Sequence, residues 1–181
     1  VWFLRVDSIE LAMIAFALAG SLVAFLKYNV TPAKIFMGDT GALLLGLVGS
    51  ILAIKFIELH QQIGNSEYAF KTAPAIAIAI LILPLFDTLR VFALRISKGK
   101  SPFYPDRNHI HHLMIDSGFS HMQASGILIV VNILFITLAM SLQSLGNLVA
   151  LIVILSLAIV LSYMLSLITS KKLSAKREGH V

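Results

Sequence analysis

The chain has no cysteine among its 181 residues, which excludes a disulfide framework and any metal site or catalysis that depends on a thiol. Charge is also scarce, because only 13% of the residues are Asp, Glu, Lys or Arg. Hydrophobic residues make up 58% of the chain, and the mean hydropathy is +0.91. One soluble core of this size cannot hide so much apolar surface. The composition therefore predicts an integral membrane protein.

The long apolar runs predict an all-α fold, a polytopic membrane helix bundle with about five transmembrane helices. The expected spans are residues 11–27, 41–57, 73–95, 124–142 and 147–168. Pro84 predicts a kink near the middle of the third span. We expect residues 1–181 to form a single integral membrane domain with a histidine-containing loop between the third and fourth spans.

The net charge is +5, and eight of the 14 lysines and arginines lie in residues 28–40, 96–122 and 170–181, which five crossings place on one side of the membrane. Basic residues favour the cytoplasmic side of a membrane protein. The charge therefore predicts that these three regions are cytoplasmic. It indicates contact with a lipid bilayer rather than binding of nucleic acid.

A short polar passage, residues 29–41, separates the first two spans. Pro32 disfavours helix in the residue before it, so the chain must turn here. Asp39 then lies where a new helix begins and has two interpretations. It is either an N-cap that accepts a hydrogen bond from the helix start or a carboxylate that holds Mg²⁺ beside phosphate oxygens. The two roles are compatible.

Asp87 and Arg90 lie three residues apart inside the third span. Charged side chains in a span are costly unless they are paired or face water, so both are candidates for a functional site. The alternative is a mutual salt bridge that only fixes helix packing.

The loop after the third span contains Arg107, His109, His111 and His112. Histidines at this spacing do not share the helix face of an i, i+4 zinc site, and three ligands are fewer than a structural zinc site uses. Arg107 and the histidines suit hydrogen bonding to a pyrophosphate better. We therefore prefer phosphate recognition to zinc binding.

These two polar regions resemble the signatures of one enzyme family, the polyprenyl-phosphate N-acetylaminosugar-1-phosphate transferases of glycosyltransferase family 4. The first signature corresponds to Asn29, Pro32-Ala33, Phe36-Met37-Gly38-Asp39 and Gly41. The second corresponds to Pro105-Asp106-Arg107-Asn108-His109-Ile110-His111-His112, in the form used by the bacterial N-acetylglucosamine-1-phosphate branch. The muramoyl-pentapeptide branch usually has three consecutive histidines instead.

The resemblance implies a reaction: transfer of N-acetylhexosamine-1-phosphate from a UDP-sugar to undecaprenyl phosphate, with release of UMP, at the cytoplasmic face of the bacterial inner membrane. It implies Mg²⁺ as cofactor, for which Mn²⁺ can substitute, and it leaves a homodimer open. The implied site consists of catalytic Asp39, His109, His111 and His112, of which Asp39 also binds the metal, and of substrate-binding Asn29, Phe36, Gly38 and Arg107. Asp87 and Arg90 are added as substrate-binding candidates because of their charge within the third span. Phe36 would face uracil.

The family also has an acidic pair and an Asn/Asp/Gly-rich motif in its N-terminal half, and neither is found in this sequence. We therefore expect the chain to be the C-terminal part of a larger transferase and to be inactive alone, because Mg²⁺ usually needs a second carboxylate or phosphate oxygens. Two alternatives remain. One is a transporter or channel fragment with Asp39, Asp87 and Arg90 along its path, and the other is a non-catalytic truncated scaffold.

Overall fold

The structure is a computed structural model that describes residues 1–30, 32–64, 66–104 and 108–178, with side chains up to residue 170. The described chain is helical, and the predicted all-α class is confirmed. Its α-helices are α1 (Trp2–Arg5), α2 (Ile9–Asn29), α3 (Gly38–Ile63), α4 (Ala73–Ile80), α5 (Ile82–Ser97), α6 (Ile110–Asp116), α7 (His121–Ser141) and α8 (Asn147–Glu178). A 3₁₀ turn, Leu142–Leu145, joins the last two.

Four of these helices, α2, α3, α7 and α8, are long and apolar enough to cross a membrane. The pair α4 and α5 passes the same test together, so the described residues hold up to five spans. The second span is longer than predicted, because α3 continues to Ile63 rather than ending near residue 57. Its last turn is packed, since the His60 ring stacks on the Trp2 indole with centroids 4.2 Å apart.

The third span is bent by 73° between α4 and α5, at Leu81 rather than at the predicted Pro84. The cause is still the proline, because its ring collides with the helical carbonyl four residues earlier, which is that of Ile80. Asn132 on α7 donates its side-chain N–H to the Ala79 carbonyl at 3.0 Å and to the Ile80 carbonyl at 3.4 Å. Pro84 in α5 therefore causes the bend, and Asn132 in α7 donates hydrogen bonds to the carbonyls beside it.

The apolar core lies between α4, the start of α5, α7 and α8. Small residues on α4 and α7 allow the helices to approach closely, as in other membrane bundles. The buried cluster comprises Ala75, Ile76, Ala79, Ile82, Phe135, Ala139, Ala150, Ile154 and Ala158. By contrast, none of the residues in the apolar window of α3 is buried, and only 6% of those in the window of α2 are.

Hydrogen bonds between distant residues define the two ends of the bundle. At one end, Trp2 donates to the Tyr68 carbonyl at 2.9 Å and Thr72 donates to the Ala139 carbonyl at 3.1 Å. At the other end, the hydroxyls of Ser117 and Thr169 lie 2.7 Å apart. The segment after α5 therefore packs against the far end of α8.

Candidate functional site

The polar passage forms a tight turn that closes on the end of α2. The backbone N–H groups of Lys34 and Ile35 both donate to the Tyr28 carbonyl, at 2.8 and 3.4 Å. The Asn29 side chain donates to the Ile35 carbonyl at 2.9 Å. We call residues 29–41 the aspartate turn. Its shape is set by its own backbone and by Asn29, so this predicted substrate-binding residue also has a structural role.

Asp39 is not an N-cap, contrary to that interpretation of the sequence. The N-cap position of α3 belongs to Met37, and Asp39 lies in the first helical turn, where no side-chain cap bond forms. Helix α3 begins at Gly38, one residue before Asp39, and the φ of +67° at Gly38 is a conformation that glycine adopts readily. Within the described residues no hydrogen bond or ion pair engages the exposed Asp39 carboxylate, which is therefore available to a ligand.

Phe36 and Gly41, two further signature residues of this turn, have different surroundings. Phe36 is 84% exposed, so one aromatic face is open. At Gly41 the Met37 side chain occupies the space beside the backbone, because a Cβ there would lie 2.5 Å from Cγ of Met37. The turn thus presents Phe36 and Asp39 outward, while Gly41 and Met37 hold it against α3.

At the other signature, Asp87 holds the start of α6. We call residues 108–121 the histidine segment. One Asp87 oxygen, Oδ2, lies 2.9 Å from Nδ1 of His109, and the other, Oδ1, accepts the backbone N–H of Ile110 at 3.0 Å. The Asp87 side chain is only 18% exposed. Hydrogen bonds to an ionised carboxylate are roughly twice as strong as neutral ones, so Asp87 fixes the position at which the segment begins.

Arg90 completes this arrangement. Its guanidinium forms an ion pair with Asp87 at 3.2 Å and donates to the Asn108 carbonyl. The salt bridge that the sequence left as an alternative is therefore present, but these side chains do more than join two residues of one helix. Both side chains of α5 bind the backbone of the histidine segment, and they position it against the bundle. Arg107, the remaining predicted binding residue, lies outside the described residues.

His111 and His112 lie on the short helix α6 rather than in an irregular loop, and His109 occupies its N-cap position. The helix forms here because its apolar side has a place to pack: Met114 is buried, and with Ile110 it lines an apolar cavity of about 180 Å³ between α5, α7 and α8. Burial lowers the pKa of His111, and the nearby rings of His121 and His112 lower it further. His111 is therefore a neutral ring at pH 7.

The two signature segments lie toward the same end of the bundle. Asp39 lies in the first turn of α3, while His60, about 30 Å further along that helix, stacks on Trp2 at the opposite end. The histidine segment packs near Thr169, at the far end of α8 from Asn147. Asn29, Phe36 and Asp39 share the aspartate turn, and the described contacts join the histidine segment to Asp87 and Arg90. They do not join one group to the other.

The described residues meet part of what a magnesium site needs. Asp39 supplies one unengaged carboxylate, and Mg²⁺ is commonly held by one or two carboxylates together with substrate phosphates and water. No group of three or more His, Asp or Glu side chains in the described ranges could hold a metal ion. Asp39 therefore fits as one protein ligand of an ion that phosphate oxygens would also bind.

Two polar residues contribute to this architecture without having been predicted. His121 begins α7 and lies beside His111, with 3.3 Å between His121 Nδ1 and His111 Nε2. Asn132 binds the carbonyls exposed at the bend of the third span. Asn132 had a signal in the sequence, because it is an amide inside an otherwise apolar run. The pairing of His121 depends on how α6 and α7 fold together, so only the structure identifies it.

Comparison with known proteins supports the first signature, in residues 29–41. Residues 1–57 match the model of glycosyl transferase family 4. The decaprenyl-phosphate N-acetylglucosaminephosphotransferase of Mycolicibacterium smegmatis is 35% identical over 62% of this chain and 29% of its own length. The undecaprenyl-phosphate alpha-N-acetylglucosaminyl 1-phosphate transferase of Yersinia pestis is 35% identical over 64% of this chain and 30% of its own length. The resemblance to this family is confirmed.

The family-4 match covers α1, α2, the aspartate turn and most of α3. A third relative, the undecaprenyl-phosphate alpha-N-acetylglucosaminyl 1-phosphate transferase of Haemophilus influenzae, is 35% identical over 66% of this chain and 33% of its own length. The chain thus aligns with only about a third of the length of the curated relatives it matches. No solved structure matches it. The activity of a whole family-4 enzyme is therefore a proposal for this chain.

Proposed function

We propose that this chain is part of an enzyme that transfers N-acetylglucosamine-1-phosphate, or a closely related aminosugar phosphate, from a UDP-sugar to a polyprenyl phosphate such as undecaprenyl phosphate. In this reaction an oxygen of the lipid phosphate attacks the sugar-bearing phosphorus. The bond from that phosphorus to the UMP oxygen breaks, and UMP leaves with the electron pair. Enzymes accelerate such a step mainly by positioning the phosphates and neutralising their charge.

One observation supports the proposal most directly: Asp87 and Arg90 anchor the histidine segment at the bundle end where the aspartate turn presents its free carboxylate. His111 and His112 would donate hydrogen bonds to phosphate oxygens, and His109 would stay held by Asp87. Phe36 would stack on uracil, and Gly38 and Asn29 would shape the turn beneath the nucleotide. Arg107 would place a positive charge beside the leaving UMP.

Asp39 would hold Mg²⁺, which supplies charge neutralisation for the pyrophosphate when it is bound. The carboxylate suits this role because it is exposed and the described residues give it no other partner. We place the site at the cytoplasmic face of the bacterial inner membrane, as the basic residues near both segments favour. Thiol labelling of a single cysteine introduced near residue 98 would test the orientation, since labelling from outside the cell would contradict it.

The rival hypothesis, a solute path along Asp87 and Arg90, is less well supported. Both side chains are mostly buried, at 18% and 12% exposure, and they bind the backbone at the start of the histidine segment. A path for ions needs charges that face water. These two side chains serve as structural anchors for histidines instead.

The deciding experiment is a transfer assay on Asp39→Asn in the complete protein that carries this chain, with UDP-N-acetylglucosamine, undecaprenyl phosphate and Mg²⁺. Loss of a metal carboxylate should lower turnover about 100-fold or more, because metal stabilisation of the transition state is worth several kcal/mol. Melting of the purified protein should not change, since Asp39 caps nothing. Thr40→Ser is the neighbouring control. Turnover of Asp39→Asn within about threefold of wild type would contradict the assignment.

A further inference from the structure

The strongest unassigned feature is the contact between His121 and His111. His111 lies on α6, whereas His121 is the first residue of α7, ten positions along the chain. Their facing nitrogens, Nε2 of His111 and Nδ1 of His121, are 3.3 Å apart. The ring centres are 5.5 Å apart. This exceeds the separation of the two nitrogens by about twice the distance from a ring centre to its own nitrogen, as expected when both nitrogens lie on the line between the ring centres. The two nitrogens therefore point at each other.

This geometry is that of an N–H···N hydrogen bond. Among the described residues no group of three or more His, Asp or Glu side chains could hold a metal ion, so the pair is not part of a metal site there. A neutral imidazole has one donor and one acceptor nitrogen, so one ring donates here and the other accepts. The contact thereby couples the tautomers of the two rings.

The backbone around His121 is held firmly. Ser120 caps α7 by accepting the N–H of Gln123 at 3.2 Å, and the Gln123 side chain accepts the Ser120 N–H at 2.9 Å. A capping box of this kind satisfies two free donors at a helix start. The backbone position of His121 is therefore set by α7 independently of α6.

We propose that His121 is a positioning residue that donates its Nδ1–H to Nε2 of His111. The bond fixes His111 as the Nδ1–H tautomer, so that its other nitrogen carries the proton and points away from His121. A partner on one ring nitrogen commonly decides which state the other nitrogen adopts. Under the proposed function, on which this inference rests, that Nδ1–H is the donor to a phosphate oxygen of the sugar nucleotide.

The alternative assignment has no such consequence. If His111 donated Nε2–H to His121, its Nδ1 would be an acceptor, and an acceptor cannot bind a phosphate oxygen that carries no proton. His112 has no comparable partner among the described residues, although its ring centre lies 6.2 Å from that of His111. The pairing therefore singles out His111 as the histidine with a fixed donor.

Three variants test the proposal, and all can be made in the complete protein. His121→Ala removes the donor. His121→Asn restores it, because the amide nitrogen of Asn is as many bonds from Cα as Nδ1 of His. Met122→Ala is the matched control, since Met122 is the next residue, is 53% exposed and has no described polar contact.

The first measurement is the tautomer of His111, read from its ring ¹⁵N chemical shifts in protein labelled at histidine. We expect the Nδ1–H form in wild type, in His121→Asn and in Met122→Ala, and a shift toward Nε2–H in His121→Ala. An Nε2–H form in the wild type would overturn the proposal. So would identical spectra for His121→Ala and wild type.

The second measurement is kcat/KM for the sugar nucleotide. Loss of an orienting partner typically costs 10–100-fold, so we expect about a tenfold decrease in His121→Ala and recovery to within about threefold in His121→Asn. Equal activity in the Ala variant and the wild type would refute the positioning role. A wild-type protein without any transfer activity would overturn the proposed function alone, because the spectra still decide the pairing.

Discussion

The two signature segments are built in opposite ways. The aspartate turn is shaped by neighbours in sequence, through the carbonyls of Tyr28 and Ile35 and the side chain of Asn29. The histidine segment is shaped by distant residues, because Asp87, 22 positions away from His109, holds its start. A locally closed turn keeps its form without close partners, whereas a segment anchored from other helices depends on the whole packed half of the bundle.

The difference extends to the helices that carry the segments. In the window of α8 that could span a membrane, 22% of residues are buried, compared with none in that of α3. Most of the core lies among α4, α7 and α8, and the histidine segment rests on α8 through Ser117 and Thr169. A substitution that weakens the packing among α4, α7 and α8 should therefore displace the histidine segment and leave the aspartate turn intact.

Among the variants that test this contrast, Asp87→Asn should have the largest effect, because it breaks the anchoring of the histidine segment. The amide cannot accept from His109, Ile110 and Arg90 as a carboxylate does, and a mutation of this kind of supporting residue typically costs 10–100-fold in activity. We expect turnover to fall about 100-fold and amide hydrogen exchange to rise at residues 110–116 but not at 34–41. Mass spectrometry of exchanged peptides measures this difference.

Leu89→Ala provides the control for Asp87, because Leu89 lies on the same helix and is 65% exposed. It should change neither turnover nor exchange. If amide hydrogen exchange in Asp87→Asn rises equally at residues 34–41 and 110–116, that result would contradict the contrast between a locally closed turn and a segment anchored by distant residues.

The next effect in size concerns the bend of the third span. Asn132→Leu leaves the carbonyls of Ala79 and Ile80 without their partner, and an unsatisfied buried polar group costs about 1–3 kcal/mol. We expect a lower melting temperature in detergent, together with reduced turnover because α5 carries Asp87. Thr137→Val is the control, since the Thr137 hydroxyl bonds only to carbonyls of its own helix. A melting temperature equal to that of the control would argue against a role for Asn132 in holding the bend.

The sequence was sufficient to predict the parts of this protein that depend on composition and local pattern. Long apolar runs predicted the helices, and Pro32 predicted a turn between α2 and α3, which the structure confirms. Pro84 predicted a kink three residues from where it occurs, because a proline disturbs the carbonyl four positions before it. Such features follow from the covalent chain and from the period of a helix.

What the sequence could not predict depends on contacts between distant segments. The histidines were expected in a loop, yet Ile110 and Met114 find an apolar cavity and a helix forms around them. Asp87 and Arg90 were recognised as a pair, but nothing in their spacing indicated that they hold the start of α6. The cap interpretation of Asp39 was wrong because α3 begins at Gly38 and Met37 occupies its N-cap position.

The smallest effect is expected from glycine substitutions in α3, and it tests whether the aspartate turn is indeed a local structure. Gly41→Ala would place a Cβ 2.5 Å from Cγ of Met37, whereas Gly46→Ala, one and a half turns further along, meets nothing within 4 Å. Alanine at a helical glycine otherwise gains up to about 1 kcal/mol. We therefore expect Gly46→Ala to be neutral or slightly stabilising and Gly41→Ala to displace Met37.

The affinity for UDP-N-acetylglucosamine should fall only in Gly41→Ala, because the displaced turn carries Phe36 and Asp39. Hydrogen exchange should rise at residues 34–41 in this variant and stay unchanged at 110–116, the reverse of the pattern for Asp87→Asn. If the two glycine variants bind the nucleotide equally well, the contact between Met37 and Gly41 does not shape the turn.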